Sequence, residues 1–251
     1  MIEFRSVSRC FEGKDAPFLA LDNVSFTIDS GEFVCLLGHS GCGKTTLLHI
    51  LAGFITPSAG EALIDGKRVE KPAPDRSIVF QEYALFPWMS AIQNVSFGLR
   101  SLGIGKKERT DRAIEALKMV RLEECARRYP HELSGGQRQR VAVARSLVTR
   151  PAVLLMDEPF AAVDALTRGE LQGDLLRLWK DIGVTILFVT HSIDEAIFLA
   201  GRAVVMRRGA IAGSRMIAAP YPRLRGSPEF AFEYRAIEEA LYGNTEELLE
   251  K

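Results

Sequence analysis

The hydrophobic positions form short uniform runs towards both ends of the chain and a helical repeat in its middle. Residues 33–37 and 153–156 are uniformly apolar, and in 185–189 four apolar residues follow Thr185. They are too short for helices and predict strands buried on both faces of a parallel sheet. Residues 78–80 predict another strand, and 203–206 the last strand of the same layer. The runs at 33–37, 78–80, 153–156 and 185–189 each lead into polar residues. Because ligands of open α/β sheets bind outside the carboxyl ends of the strands, we expect one site where these ends meet.

The first seventy residues contain further strand patterns separated by turn residues. Strands are predicted at 2–7, at 20–28 with a break at Asp22-Asn23, and at 60–64, before an Asp65-Gly66 hairpin turn. A helix is predicted from Lys44 to Ala52, because Gly53 follows as a carboxyl-terminal stop.

The middle of the chain, from about residue 83 to 150, has helical character. Apolar residues recur at helical spacing between 113 and 120, and a second helical pattern covers 141–147. The pattern predicts an α/β fold with a parallel-sheet core, an N-terminal antiparallel β subdomain and an inserted helical subdomain. After a main domain over 1–215, residues 216–251 are expected to form a helical tail, with a helix near 229–241.

Composition narrows the possible functions only slightly. The 251 residues carry 32 Lys plus Arg and 32 Asp plus Glu, so a general nucleic-acid partner is not expected. The four cysteines form no close pair beside histidines, which disfavours zinc and fits a reducing cytosol. The N-terminus lacks a signal-peptide pattern, and no apolar run approaches the roughly 18 residues that span a bilayer. A membrane role would therefore require a partner.

A glycine-rich motif follows the first buried strand and matches GxxxxGK[ST]. It consists of Gly38, His39, Ser40, Gly41, Cys42, Gly43, Lys44 and Thr45, with Thr46 next. Its backbone N–H groups would surround a phosphate at a helix N-terminus, Lys44 would reach the β- and γ-phosphates, and Thr45 would ligate Mg²⁺. A chance match is expected in on the order of one chain per hundred, and the flanking strand and helix favour phosphate binding.

Two carboxylates, Asp157 and Glu158, follow the strand at 153–156. Alone, such a pair is more often a helix cap than a catalytic pair. Downstream of a phosphate loop, Asp157 is expected to hold Mg²⁺ through water and Glu158 to polarise an attacking water.

Gln81 and His191 follow two other predicted strands. Either residue alone is more often structural. At strand ends facing a nucleotide, Gln81 could join the metal and water shell, and His191 could bond the γ-phosphate. The remaining histidines lack such placement.

A second motif, Leu133-Ser134-Gly135-Gly136-Gln137, precedes an arginine-rich helix. Ser134 is a good N-cap, and the glycines leave N–H groups accessible at the helix start, which predicts a second anion site. The alternative is an ordinary capped helix, although chance gives these five residues well below once per thousand chains.

The ordered set of these motifs resembles the nucleotide-binding subunit of ABC transporters, over roughly residues 1–215. The resemblance implies a P-loop NTPase (RecA-like) core that binds Mg-ATP and hydrolyses ATP in a head-to-tail homodimer. In that arrangement Ser134, Gly135, Gly136 and Gln137 act on the partner's nucleotide. It further implies that Glu158, His191, Gln81 and Lys44 are catalytic, and that Thr45, Gln81 and Asp157 serve the metal.

Two further residues gain roles from the same resemblance. Asp164 lies in a stretch similar to the family's D-loop, where Ala161 stands in place of the usual Ser. Phe11 falls where the family stacks an aromatic ring on adenine, although the ring could equally belong to the core.

An aromatic, proline-containing loop at residues 85–88 follows Gln81. The alternative to function is packing within the helical subdomain. In the family this region docks a permease, and with Tyr221-Pro222-Arg223 it is similar to the nitrate, sulfonate and taurine importer branch. The implied partners are two permease subunits and, indirectly, an extracytoplasmic solute-binding protein, with the ATPase peripheral on the cytoplasmic face of the membrane.

Other classes fit less well. The main alternative is a soluble ABC ATPase without transport, for example in DNA repair, translation or iron–sulfur assembly. A repair ATPase would carry a long coiled-coil insertion, and a translation ATPase would carry two cassettes in one chain. A P-loop kinase or GTPase leaves residues 133–137 unexplained. A pure binding module is disfavoured because Glu158 and His191 are both present.

Overall fold

The computed structural model describes residues 1–13 and 16–243. Within that part of the chain, strands and helices occur in the following order: β1 (Ile2–Phe11), β2 (Phe18–Ile28), β3 (Phe33–Leu37), α1 (Lys44–Ala52), β4 (Ala59–Ile64), β5 (Lys67–Arg68), β6 (Arg76–Val79), α2 (Ala91–Ser96), α3 (Lys106–Met119), α4 (Gly135–Leu147), β7 (Val153–Asp157), α5 (Ala165–Ile182), β8 (Thr185–Thr190), α6 (Ile193–Leu199), β9 (Arg202–Arg207), β10 (Ala210–Met216) and α7 (Pro228–Tyr242).

The chain forms two compact units, residues 1–73 with 185–243, and residues 74–184. The first unit contains an antiparallel sheet of order β2-β1-β4-β5. It also contains β3 between β8 and β9, with all three parallel, and β10 antiparallel to β9. Every residue of β3 and β8 is buried, which explains the apolar sequence of β3 and the four apolar residues between Thr185 and Thr190 in β8.

The second unit carries most of the helical region together with one parallel strand pair. Strands β6 and β7 pair in parallel, and helices α2, α3 and α4 pack against one another. Of the apolar residues of α3 predicted at helical spacing, Ala113 and Leu117 are fully buried, whereas Ile114 is half-buried. Residues 83–150 all lie within this unit.

Local signals placed several elements correctly. Helix α1 spans the predicted residues, and Gly53 ends it in the left-handed conformation. The Asp65-Gly66 turn joins β4 to β5, and both residues have positive φ, at 48° and 73°. The tail helix predicted near 229–241 is α7, whereas the last eight residues of the predicted tail, 244–251, lie outside the described residues.

Three strand predictions were wrong in detail. Strand β2 continues through Asp22-Asn23, because Asn23 takes a positive φ of 49° within the strand and does not end it. Strand β9 is not the last of its layer, since β10 pairs with it. Strand β6 ends at Val79, so Gln81 lies in the turn that follows rather than at the strand end.

The described helices include none with both the length and the apolar character needed to cross a bilayer.

Candidate functional site

The glycine-rich loop lies between buried β3 and α1. Gly38 follows the strand, and a Cβ there would come within 2.5 Å of both the Met206 carbonyl oxygen and the Cys42 Sγ. Gly43 has φ 101°, a left-handed conformation that side chains disfavour. The glycines are therefore required by close packing on one side of the loop and by backbone conformation on the other.

The Lys44 side chain curls over this loop. Only 5% of Lys44 is exposed, and its Nζ donates to the carbonyl oxygens of Gly38 at 2.7 Å and His39 at 2.9 Å. The ammonium thus lies within the curve of the loop, where it can attract an anion.

The N-terminus of α1 completes this cradle. Gly43 is its N-cap and offers no side chain to accept from the first backbone N–H groups. The helix dipole makes this end positive. Thr45, in the first turn, is exposed, and a hydroxyl is the hard oxygen ligand that Mg²⁺ prefers. A phosphate with its metal therefore fits the residues present.

His191 reaches the same edge of the sheet by a different route. Because β8 is parallel to β3, the loop after each strand emerges at the same edge. His191 directly follows β8 and is exposed. The adjacent Thr190 is buried, and its hydroxyl donates to the Glu195 carboxylate at 2.5 Å.

Phe11 ends β1 in the antiparallel sheet and is half-buried. The Arg9 guanidinium lies 4.6 Å from its ring centroid. One face of the ring is thus covered by a cation.

In the second unit, the carboxylates and Gln81 also share a sheet edge. Parallel β6 and β7 end at Val79 and Asp157, so the turn holding Gln81 and the loop holding Glu158 emerge together. Asp157 and Glu158 are half-buried, and Gln81 is exposed. Glu158 adopts φ 42°, in the left-handed region.

The second predicted anion site is the N-terminus of α4. Its N-cap is Ser134, whose hydroxyl accepts from the Gln137 backbone N–H at 3.2 Å, while the Gln137 side-chain oxygen accepts from the Ser134 N–H at 3.0 Å. This capping box confirms the predicted helix start and holds Ser134 and Gln137 in place. Gly136 is buried, and a Cβ there would lie 2.5 Å from the Thr167 side chain.

Asp164 caps α5. Its carboxylate accepts from the Thr167 backbone N–H at 3.0 Å. This hydrogen bond holds the pKa of Asp164 below its ordinary value, so the group stays ionised at neutral pH.

Sequence reasoning missed the network around Tyr83. Tyr83 and Ala84 both have positive φ, at 58° and 45°. Arg145 donates to their carbonyl oxygens at 2.9 and 2.6 Å, and the Arg138 guanidinium lies 5.5 Å from the Tyr83 ring centroid. Nothing in the local sequence around Tyr83 indicates this, because both arginines come from α4, more than fifty residues later.

The aromatic loop lines a groove in the second unit, which we name the basic groove. Its cavity has a volume of about 520 Å³. Its apolar lining includes Trp88, which is 69% exposed, and Phe97. Arg100, Lys106 and Arg109 also line it, and none of the described residues that line it is a carboxylate.

The loop that lines the basic groove is held in place by hydrogen bonds from one buried side chain. Asn94 is fully buried. Its side chain accepts from the Phe86 N–H at 2.8 Å and donates to the carbonyl oxygens of Phe86, Met89 and Ser90 at 2.9–3.2 Å. The exposed ring of Trp88 is thereby carried on an ordered loop.

Residues 21–161 match the family model described as ABC transporter. This segment contains both predicted anion sites and the Asp157-Glu158 pair. The chain belongs to the ABC transporter family.

Curated relatives of this ABC protein include two named transport subunits from Synechococcus elongatus. A bicarbonate transport ATP-binding protein is 47% identical over 88% of this chain and 80% of its own length. A nitrate import ATP-binding protein is 41% identical over 89% of this chain and 83% of its own. The resemblance to the ATP-binding subunit of an ABC importer is thus confirmed.

Solved structures agree with the fold of the ABC protein. The dimeric post-hydrolysis structure of the ATP-binding cassette MJ0796, bound to ADP and Pi, superimposes with a TM-score of 0.77 at 33% identity, covering 86% of this chain and 98% of the other. The predicted P-loop NTPase fold is confirmed, as are ATP binding and the ATPase class.

Proposed function

We propose that this chain powers a solute importer, with each Mg-ATP held between two copies arranged head to tail. The glycine-rich loop of one copy would hold the phosphates, and the Ser134-capped start of α4 in the other copy would close over them. The observation that carries this proposal is the presence of two helix N-termini, at Gly43 and Ser134, each preformed for an anion. The dimeric cassette MJ0796 supports the arrangement by analogy.

The metal would be held by oxygen ligands of the chain. Thr45, Gln81 and Asp157 supply a hydroxyl, an amide oxygen and a carboxylate, a donor set suited to Mg²⁺. Bound Mg²⁺ would neutralise developing charge on the phosphate oxygens. Lys44 would bind the β- and γ-phosphates. Its ammonium would then donate hydrogen bonds to phosphate oxygens in place of the carbonyl oxygens of Gly38 and His39.

Glu158, His191 and Gln81 would carry out the hydrolysis of ATP. Glu158 would accept the proton of the attacking water, and Gln81 would orient that water. His191 would donate a hydrogen bond to the terminal phosphate, and Asp164 would act near the facing copy's site. Phe11 would stack on adenine through the ring face that Arg9 leaves uncovered.

The domain division that we propose follows from these roles. Residues 1–215 would form the nucleotide-binding domain, with a helical subdomain at about 83–150 that reaches the membrane partner, and residues 216–251 would form a tail. The ATPase would lie peripherally on the cytoplasmic face of the membrane.

The membrane partner would be a pair of permease subunits, served by an extracytoplasmic solute-binding protein. Each permease would insert a helix into the basic groove. The exposed Trp88 supplies an apolar contact, and Arg100, Lys106 and Arg109 favour a helix that carries carboxylates.

The solute would be a small anion. Relatives are named for bicarbonate and for nitrate, and both the loop at 85–88 and Tyr221-Pro222-Arg223 are similar to the nitrate, sulfonate and taurine branch. Selectivity would lie in the other subunits.

The decisive experiment replaces Glu158 with Gln, which keeps size and removes the base. We expect Glu158→Gln to bind Mg-ATP, to dimerise on size-exclusion chromatography and to release phosphate at least about 100-fold more slowly than wild type. Glu170→Gln, an exposed change on α5, is the matched control and should hydrolyse normally. Phosphate release by Glu158→Gln at the wild-type rate would exclude Glu158 as the base.

A further inference from the structure

The segment after β10 holds the three residues Tyr221-Pro222-Arg223, which the ATPase chemistry leaves without a role. Arg223 is a cation with only 5% of its surface exposed. Its guanidinium lies 4.0 Å from the Tyr221 ring centroid. Burial lowers the pKa of Arg223 and raises that of Tyr221. Burying such a group is costly unless hydrogen bonds compensate, so its partners are informative.

Those partners are mainly the carbonyl oxygens at the end of α6. Arg223 donates to the carbonyls of Ile197 and Ala200, both at 2.5 Å, and Tyr221 donates its hydroxyl hydrogen to the carbonyl of Leu199 at 2.7 Å. Arg223 also donates to Ala219 at 2.8 Å. Together, Tyr221 and Arg223 form a clamp on the carboxyl end of α6, and we use that name below.

The clamp matches what the end of a short helix requires. Helix α6 has seven residues, so backbone propensity alone stabilises it little. The last carbonyls of a helix have no intrahelical partners, and its dipole makes that end negative. A buried guanidinium satisfies the carbonyls and complements the dipole at once.

The opposite end of α6 begins next to His191. Ser192 is the N-cap, and its hydroxyl accepts from the Glu195 N–H at 3.3 Å. The Ser192 backbone N–H donates to the Thr190 hydroxyl at 3.1 Å. His191 and the N-cap Ser192 are thus the two residues between the end of β8 and the first residue of α6, and a shift of α6 moves His191 with it.

We propose that Tyr221 and Arg223 are positioning residues for His191, acting by fixing the carboxyl end of α6. This inference rests on the proposed role of His191 in hydrolysis. It gives residues 221–223 a defined task in the ATPase reaction, which is to hold His191 in place relative to the glycine-rich loop.

The first test is kinetic. We expect Arg223→Met to lower kcat for ATP hydrolysis by about 10- to 100-fold per folded molecule, because a displacement near 1 Å is enough for such losses. The KM for ATP should stay unchanged, since the glycine-rich loop and Phe11 are untouched. Tyr221→Phe, which removes only the bond to Leu199, should give a smaller loss in the same direction, and it serves if Arg223→Met fails to fold.

The matched control is Arg215→Met. Arg215 lies on β10 and bonds to the buried Glu233 of α7 at 2.6 Å, so the change breaks an ion pair in the same unit without removing a hydrogen bond to α6. This change should lower the melting temperature and leave kcat unaffected. If the clamp variants behave like Arg215→Met, with lower stability and normal kcat, the proposal is wrong.

The second test observes His191 itself. The chain has four histidines, so imidazole NMR resonances can be assigned with His191→Gln. Either clamp variant should shift the His191 resonance, and Arg215→Met should not. An unshifted His191 resonance, with His191→Gln inactive, would overturn the clamp alone. If His191→Gln hydrolyses ATP at the wild-type rate, the proposed role of His191 fails, and the clamp proposal fails with it.

Discussion

At the scale of single residues, Glu158 combines a proposed catalytic role with a strained backbone. Its φ of 42° is in the region that non-glycine residues rarely occupy. Such strain costs of order 1–3 kcal/mol and persists where the surroundings enforce it, often at functional sites. The surrounding structure thus holds the Glu158 backbone in a conformation that a non-glycine residue disfavours.

Comparing two substitutions at Glu158 measures this strain. Both Glu158→Gly and Glu158→Ala remove the carboxylate and should abolish hydrolysis. Glu158→Gly should be the more stable by about 1 kcal/mol, because only glycine adopts a positive φ without steric cost. Urea unfolding of the two proteins gives the difference directly. An alanine variant as stable as the glycine variant would indicate that the loop relaxes and holds no strain.

The sequence indicates candidates for the residues that carry chemistry, but not how each is held. Lys44, Asp157 and Glu158 follow buried strands in recognisable motifs, so short-range patterns are sufficient to propose them. Arg145 and Arg223 bond to carbonyl groups far away in sequence. A backbone carbonyl has no sequence signature, so arginines of this kind cannot be recognised before the fold is known.

At the scale of elements, the basic groove depends on one buried amide. Asn94 accepts one and donates three hydrogen bonds that fix residues 86–90. Ser90 and Gln93 add a capping box at the start of α2. The aromatic loop is therefore part of the helical packing and not an independent segment.

Replacing Asn94 with Leu tests this dependence. The change removes the partner of the Phe86 N–H and of the Met89 carbonyl, each pairing being worth about 0.5–1.5 kcal/mol net. The carbonyls of Phe86 and Ser90 keep the backbone N–H groups of Met89 and Asn94. We expect thermal unfolding at a lower temperature and reduced co-purification with the permease. ATP binding by the isolated subunit should be retained. Ser101→Ala, an exposed change nearby, is the control, and normal permease association by a destabilised Asn94→Leu protein would place docking elsewhere.

Elements themselves were predictable where local signals agree. The limits of α1 and the start of α4 follow from a glycine stop and a capping box. Strand β10 was missed because its residues alternate between exposed and half-buried positions and contain glycine and serine. Its place in the sheet is set by pairing with β9, which a local pattern does not reveal.

At the scale of the whole molecule, the proposed head-to-tail dimer predicts complementation between two inactive variants. Lys44→Ala removes the phosphate-binding amine, and Ser134→Arg blocks the facing half-site. In a mixed dimer one site carries both defects and the other carries neither. An equal mixture should therefore recover about one quarter of wild-type hydrolysis if the sites act independently.

Phosphate release by each variant alone and by the mixture gives the measurement. A mixture of Lys44→Ala with a second Lys44 variant, Lys44→Gln, is the control and should remain inactive. Were Lys44 and Ser134 to serve one nucleotide within the same chain, mixing would restore nothing. ATP-dependent dimerisation of the mixture on size-exclusion chromatography provides a second readout.

The basic groove has a consequence for how the assembly would come apart. Salt screens the attraction between the cations of the groove and carboxylates of the permease. The screening length is about 8 Å at physiological ionic strength. The apolar contact made by the Trp88 indole and the Phe97 ring is instead strengthened by sulfate, because sulfate favours the burial of apolar surface. Chloride and sulfate washes of equal ionic strength would then strip the subunit from membranes to different extents. The identity of the anion in the wash, and not only its concentration, would then report whether the cations or the aromatic side chains of the groove contribute more to binding the permease.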